Sequence, residues 1–152
     1  MKISTSKTEL QLALQKLSKA TPARSTLPIL SSVLFNVKES GTVLRTTDLE
    51  ITIIVNLPVS VESSGSVALP LQTLLDITNE LPNDARMTLT ADENNKITMA
   101  TDAGSYDIMG KPADEFPATP EVDNRKATGV SAKTLKDLIS KTSFAVSRDE
   151  LK

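Results

Sequence analysis

Apolar positions along this chain change period in a fixed order, and that order occurs twice. Residues 2–5, KIST, alternate over a few positions and predict a short strand. Residues 7–19 then place Leu10, Ala13, Leu14 and Leu17 at helical spacing, with Thr8, Gln15 and Lys19 opposite and Lys16 on the flank. SVLFNVK (32–38), TVLRTTD (42–48) and LEITIIVNL (49–57) read as an antiparallel meander. The order then restarts with GSVAL (65–69), followed by Pro70 where a helix begins. LQTLLDITNEL (71–81) predicts that helix, its inner face formed by Leu71, Leu74, Leu75, Thr78 and Leu81. RMTLTAD (86–92), NKITMATD (95–102) and SYDIMG (105–110) supply three more strands.

The repeated unit is therefore β-α-β-β-β, over residues 1–57 and again over 65–110. RTTDLEI (45–51) and MATDAGS (99–105) both put Thr-Asp at the turn between the second and third meander strands. The expectation is an α+β fold whose two repeats are related by an approximate twofold axis. Leu10, Leu14, Leu74 and Leu75 should then meet in one core.

Residues 111–128, KPADEFPATPEVDNRKAT, hold three prolines and no apolar period, and read as a linker. The stretch 129–152 restarts the pattern. Ser131 is a candidate N-cap, and Leu135, Leu138, Ile139, Thr142 and Val146 recur at helical spacing. It reads as the opening of a third copy without its meander, so the 152 residues are expected to be part of a longer, repetitive protein. An apolar stripe of this kind needs a surface to lie against.

Composition narrows the chemistry. The chain is long enough for one ordinary core. Zero cysteines exclude thiolate zinc sites and cysteine nucleophiles, and zero histidines remove the commonest general base and metal ligand. The N-terminus lacks the apolar run of a secretory signal, and no segment is long enough to span a bilayer. Asp48 and Glu50 could pair for acid–base work, but acidic residues at strand ends more often solvate turns. The five glycines are scattered and build no phosphate cradle. No catalytic residue, metal or cofactor is expected.

The net charge of −2 hides a segregation. Residues 1–24 carry five basic groups against Glu9 alone, a balance of +4. Residues 25–123 carry five basic and fifteen acidic groups, a balance of −10, and residues 124–152 return to +4. Lysine-rich helix surfaces are common, so either basic segment alone would mean little. Two of them beside an acidic body suggest one face for a polyanion and another that repels it. Lys7, Lys16, Lys19 and Arg24 lie on or just after the first helix, and Lys133, Lys136, Lys141 and Arg148 on or just after the last. Neither a base-reading motif nor a row of stacking aromatics accompanies them, which suits phosphate-backbone contact. Two other readings stand beside it: an α+β protein-interaction module without DNA binding, and more distantly a carboxylate hydrolase.

ARSTLPIL (23–30), RTTDLEI (45–51), ALPLQTLLDITNELP (68–82) and DEFP (114–117) resemble the N-terminal part of the bacterial DNA polymerase III beta subunit, the sliding clamp. The resemblance covers the whole chain, and the final SRDE resembles the entry to that family's second domain. It implies a clamp fold with antiparallel sheets outside and two helices on the inner face. Residues 1–118 would be a complete first domain, 119–128 a linker and 129–152 the start of a second. The implied role is a cytoplasmic, non-catalytic processivity factor that encircles duplex DNA without reading sequence. It would work as a head-to-tail ring dimer, meeting polymerase and clamp loader through regions beyond these residues. On this resemblance Arg24 and Arg148 face DNA, with Lys16, Lys19, Lys133, Lys136 and Lys141 as further hole-facing candidates. The subunit contact falls on Ser105, Tyr106, Asp107, Ile108 and Met109, with Tyr106 and Ile108 as exposed apolar anchors and Gln72 and Thr73 nearby. One departure stands out. The second helix carries Gln72, Asp76, Asn79 and Glu80 outward and no basic residue, so it either adds little attraction or pairs its carboxylates with lysines elsewhere.

Overall fold

The computed structural model of the chain describes residues 1–22, 26–119 and 127–147. It divides into two compact units, Met1–Thr119 and Pro120–Lys152.

The first unit follows the doubled order. Strand β1 (Lys2–Ser6) leads directly into helix α1 (Lys7–Leu17), whose N-cap is Ser6: its hydroxyl accepts the Glu9 amide at 3.2 Å. The meander β2 (Ser32–Lys38), β3 (Gly41–Thr47) and β4 (Thr52–Leu57) follows. A short strand β5 (Ser60–Ser63) precedes β6 (Gly65–Pro70) and helix α2 (Leu71–Glu80). The second meander is β7 (Arg86–Ala91), β8 (Lys96–Thr101) and β9 (Gly104–Met109).

The strands form two antiparallel sheets, ordered β5-β1-β7-β8-β9 and β4-β3-β2-β6. Each repeat thus lends its opening strand to the other repeat's meander. Ile3 of β1 lies opposite Leu89 of β7, and Leu69 of β6 lies opposite Val33 of β2. This exchange closes one core between the sheets and the helices. Leu10, Leu14 and Leu74 are fully buried there, and Leu75 packs against them half-buried, as the shared-core expectation requires. Burying each such leucine contributes about 1.5–3 kcal/mol. The end of α1 is also tied down inside: the Thr46 hydroxyl on β3 donates to the Leu17 carbonyl at 2.8 Å, satisfying a carbonyl the helix leaves open.

Several boundaries differ from the sequence reading. β4 begins at Thr52, not residue 49, because Asp48 Oδ1 accepts the amides of Glu50 and Ile51 and holds residues 48–51 as a turn with Leu49 at φ 82. Pro70 closes β6 and stands as the N-cap of α2, without a side-chain cap. Residues 111–119 are not linker: Lys111 exchanges both backbone hydrogen bonds with Ala68, and Phe116 is buried with Ile29, Leu30, Leu34 and Ala68 in a second apolar cluster.

In the second unit, helix α3 (Ala132–Thr142) is capped by Ser131, whose hydroxyl accepts the Thr134 amide at 3.1 Å. Its apolar stripe stays open: Leu135, Leu138 and Ile139 are 50%, 55% and 56% exposed.

Candidate nucleic-acid interface

Helices α1 and α2 pack against each other, and Gln11 Nε2 of α1 donates to Asn79 Oδ1 of α2 at 2.7 Å on their exposed side. The amphipathic spacing that buries Leu10, Leu14 and Leu17 turns Thr8, Glu9, Leu12, Gln15 and Lys16 outward. The same geometry on α2 exposes Gln72, Thr73, Asp76, Asn79 and Glu80. The resulting polar surface is graded in charge. Lys16 lies in the last turn of α1 and Lys19 in the short 3-10 turn after it, both exposed, while Glu9 lies in the first turn. That arrangement also suits the helix dipole. The positive end of the face leads into the loop that carries Arg24, which lies outside the described residues, as does Arg148.

Lys7 does not belong to this surface. It is 5% exposed, and its Nζ donates to Asn83 Oδ1 at 2.7 Å while its amide donates to the Ala85 carbonyl. It fastens the start of α1 to the loop after α2. The carboxylates of α2 find no lysine among the described ion pairs, which are Lys2–Glu62 and Lys96–Asp107. Asp76 instead accepts from Gln72 Nε2 at 2.7 Å. In the second unit, Lys133, Lys136 and Lys141 are exposed on α3.

β9 is an edge strand, and its side chains alternate between the sheet's two faces. Ser105, Asp107 and Met109 are exposed, Met109 at 67%. Tyr106 is half-buried against the core, and Ile108 is a core residue at 4% exposure. The expectation of an exposed Ile108 anchor is therefore corrected: alternation places Tyr106 and Ile108 on one face, and that face is the inner one. Asp107 is held by Lys96 Nζ at 2.8 Å and by the Thr98 hydroxyl at 2.9 Å, which together keep its carboxyl below the usual aspartate range. Gln72 and Thr73 stand on the first turn of α2, a separate element that meets β9 through the common core.

Asp48 is occupied in its turn. The amides of Ile51 and Glu50 hold its carboxyl low, the state of a structural acceptor more than of a general acid. No group of described side chains has the composition of a metal site, and no described helix is long and apolar enough to cross a membrane. What the arrangement can do is attract a polyanion weakly through mobile, exposed ammonium groups, with nothing to read base edges.

The chain's fold has well-characterised counterparts. Residues 1–120 match the family model of the DNA polymerase III beta subunit, N-terminal domain. The chain belongs to that family and has its clamp-domain fold. It is 37% identical over 155 residues to a beta sliding clamp of Synechococcus elongatus, covering 100% of this chain and 41% of that protein. A beta sliding clamp of Staphylococcus epidermidis is 33% identical over 140 residues, covering 87% of this chain and 37% of the relative. Among solved structures, the DNA polymerase sliding clamp of Bacillus subtilis superposes with a TM-score of 0.91 at 26% identity, over 99% of this chain and 41% of that one. A putative DNA polymerase III beta subunit of Eubacterium rectale gives 0.91 at 28% identity, over 100% and 41%. The chain thus spans about two fifths of its relatives' length.

Proposed function

We propose that this chain is the first domain, and the opening helix of the second, of a DNA sliding clamp: a non-catalytic ring that keeps a replicative polymerase on duplex DNA in the cytoplasm. In this reading residues 1–118 are the domain, 119–128 the linker and 129–152 the start of the next domain. The observation that carries it is the α1 face, where exposed Lys16 and Lys19 run toward the Arg24 loop in a chain whose family is that of the beta subunit. A ring that must hold DNA and still slide needs contact that is weak, electrostatic and indifferent to sequence. Arg24, Lys16 and Lys19, with Lys133, Lys136, Lys141 and Arg148 of the second unit, are the proposed DNA-facing groups. The acidic face of α2 adds no attraction; in a sliding surface it limits how tightly the duplex is held. The β9 edge, through its free backbone and the outward side chains of Ser105, Asp107 and Met109, is the proposed contact with a second subunit. Tyr106, Gln72 and Thr73 border it.

The test is retention of the longer, ring-forming protein on nicked circular duplex against the same DNA linearised. Retention on the circle and loss from the line supports an encircling clamp. Equal loss from both supports the alternative, a protein-interaction module, which the acidic α2 face would also suit.

A further inference from the structure

Residues 111–119 form a strap across the outer face of the β4-β3-β2-β6 sheet. It begins where Gly110 turns the chain off β9: Gly110 N donates to the Asn95 carbonyl at 2.9 Å, and Lys111 pairs with Ala68 on β6. Phe116 then covers Leu34 of β2 and Ala68 of β6. The strap ends on β3, at Arg45. The Arg45 guanidinium lies over the Phe116 ring, 5.2 Å from its centroid, donates from Nη2 to the Pro117 carbonyl at 2.9 Å, and donates from Nη1 to the Thr119 hydroxyl. Its Nε is buried and finds no acceptor among the described residues. An arginine placed this way stacks and forks at once, which a lysine cannot do.

We propose that Arg45 is the anchor that sets where the chain leaves the first unit, so that the connection to the following helix starts at residue 120 and not at residue 112. The strap makes few contacts of its own beyond Phe116 and the Lys111 pair. Its last residues, Pro117 and Thr119, are held by Arg45. Since the reach of a flexible connection grows with the square root of its length, releasing these residues widens the range of positions open to the next unit. Arg45 is thus a positioning residue for interdomain geometry, and this holds whether or not the protein encircles DNA.

Two readouts on the whole chain test this. The first is backbone hydrogen exchange over residues 112–119, where the Phe116 amide donates to the Ala113 carbonyl. The second is the spread of distances between spin labels at Thr90→Cys and Ser143→Cys, which the cysteine-free background permits. Arg45→Met is expected to speed exchange in the strap by about tenfold or more and to broaden the distance distribution, with exchange in α1, β2 and β3 unchanged. Arg45→Lys, which keeps the charge and loses the fork, is expected to behave similarly. Thr119→Val removes a single exposed acceptor and gives a smaller shift of the same kind. Should Arg45→Met fail to fold, the other two variants decide. Unchanged exchange and unchanged distances in the folded variants would overturn the proposal. So would uniform loosening of both sheets with no preference for the strap, because Arg45 would then be a stability residue only.

Discussion

Ile3 stands directly opposite Leu89, although the two belong to different repeats, and both are fully buried. With the reciprocal pair Val33 and Leu69, this makes the repeats interdependent: each meander is completed by a strand from the other. Neither β-α-β-β-β unit owns a whole sheet.

It follows that residues 1–119 unfold as one cooperative body. Ile3→Ala and Leu89→Ala should each cost about 2–5 kcal/mol, and because the residues touch, their effects should not add. Urea titration read by amide exchange on β2 and on β8 checks this. Coincident midpoints are expected; separate midpoints would mean that the repeats are independent after all.

Gly110 offers a sharper steric test. A Cβ there would lie 2.8 Å from the Asn95 carbonyl oxygen and 2.9 Å from that of Ala68, and both are backbone atoms with little room to yield. Gly110→Ala should therefore destabilise by roughly 1–3 kcal/mol. Gly104→Ala meets no atom within 4 Å but must hold a φ of +145, so its cost is conformational only. Thermal melts of the two variants separate clash from strain by whether the Asn95–Gly110 amide bond survives in exchange.

The correction at β9 has its own consequence. Ile108→Ala should cost about 2–5 kcal/mol as a core truncation, whereas Met109→Ser should change stability by no more than ~0.5 kcal/mol. If the β9 edge is a subunit contact, Met109→Ser weakens dimerisation of the longer protein in sedimentation while the fold stands. A stable dimer with unaltered affinity would remove Met109 from the contact.

Acid titration reports on Asp107 and Asp48. Both carboxyls sit below their ordinary range, Asp107 through Lys96 and then Thr98, Asp48 through the amides of Ile51 and Glu50. A depressed carboxylate contributes stability above the unfolded pKa of about 3.9. That contribution is lost as pH falls through the folded value. Lys96 is raised by the same Asp107 contact, so its share persists through neutral pH and disappears only as strongly alkaline conditions deprotonate it. Asp107→Asn and Asp48→Asn should thus lower the melting temperature at neutral pH and converge with the parent in acid. A difference that stays constant down to low pH would contradict the assignment.

Much of this architecture is legible in the chain because its elements differ in period. Leu10, Leu14 and Leu17 mark a helix, and SVLFNVK a strand, without outside help. Partnership is another matter. Alternation in KIST and GSVAL shows two strands but cannot show that they change places, since a strand's period is blind to its neighbour. β5 was missed because Ser60–Ser63 holds a single apolar residue, and it is placed by pairing with β1. The strap was missed because Phe116 is one apolar residue among prolines, too few to set a period. At the site, alternation grouped Tyr106 with Ile108 correctly but left open which face was inward. Lys7 looked like a surface cation, and only the loop after α2 shows where its ammonium goes.

The central claim is that the α1 face meets the phosphate backbone of duplex DNA. Its most direct test is the salt dependence of duplex binding by the longer, ring-forming protein, with and without Lys16→Ala and Lys19→Ala. Each lysine that contacts phosphate contributes about 0.9 to the slope of log affinity against log salt concentration. The account predicts that the double variant shallows the slope by up to about 2, with the melting temperature unchanged because both side chains are exposed. An unaltered slope would take α1 off the DNA surface and contradict the account.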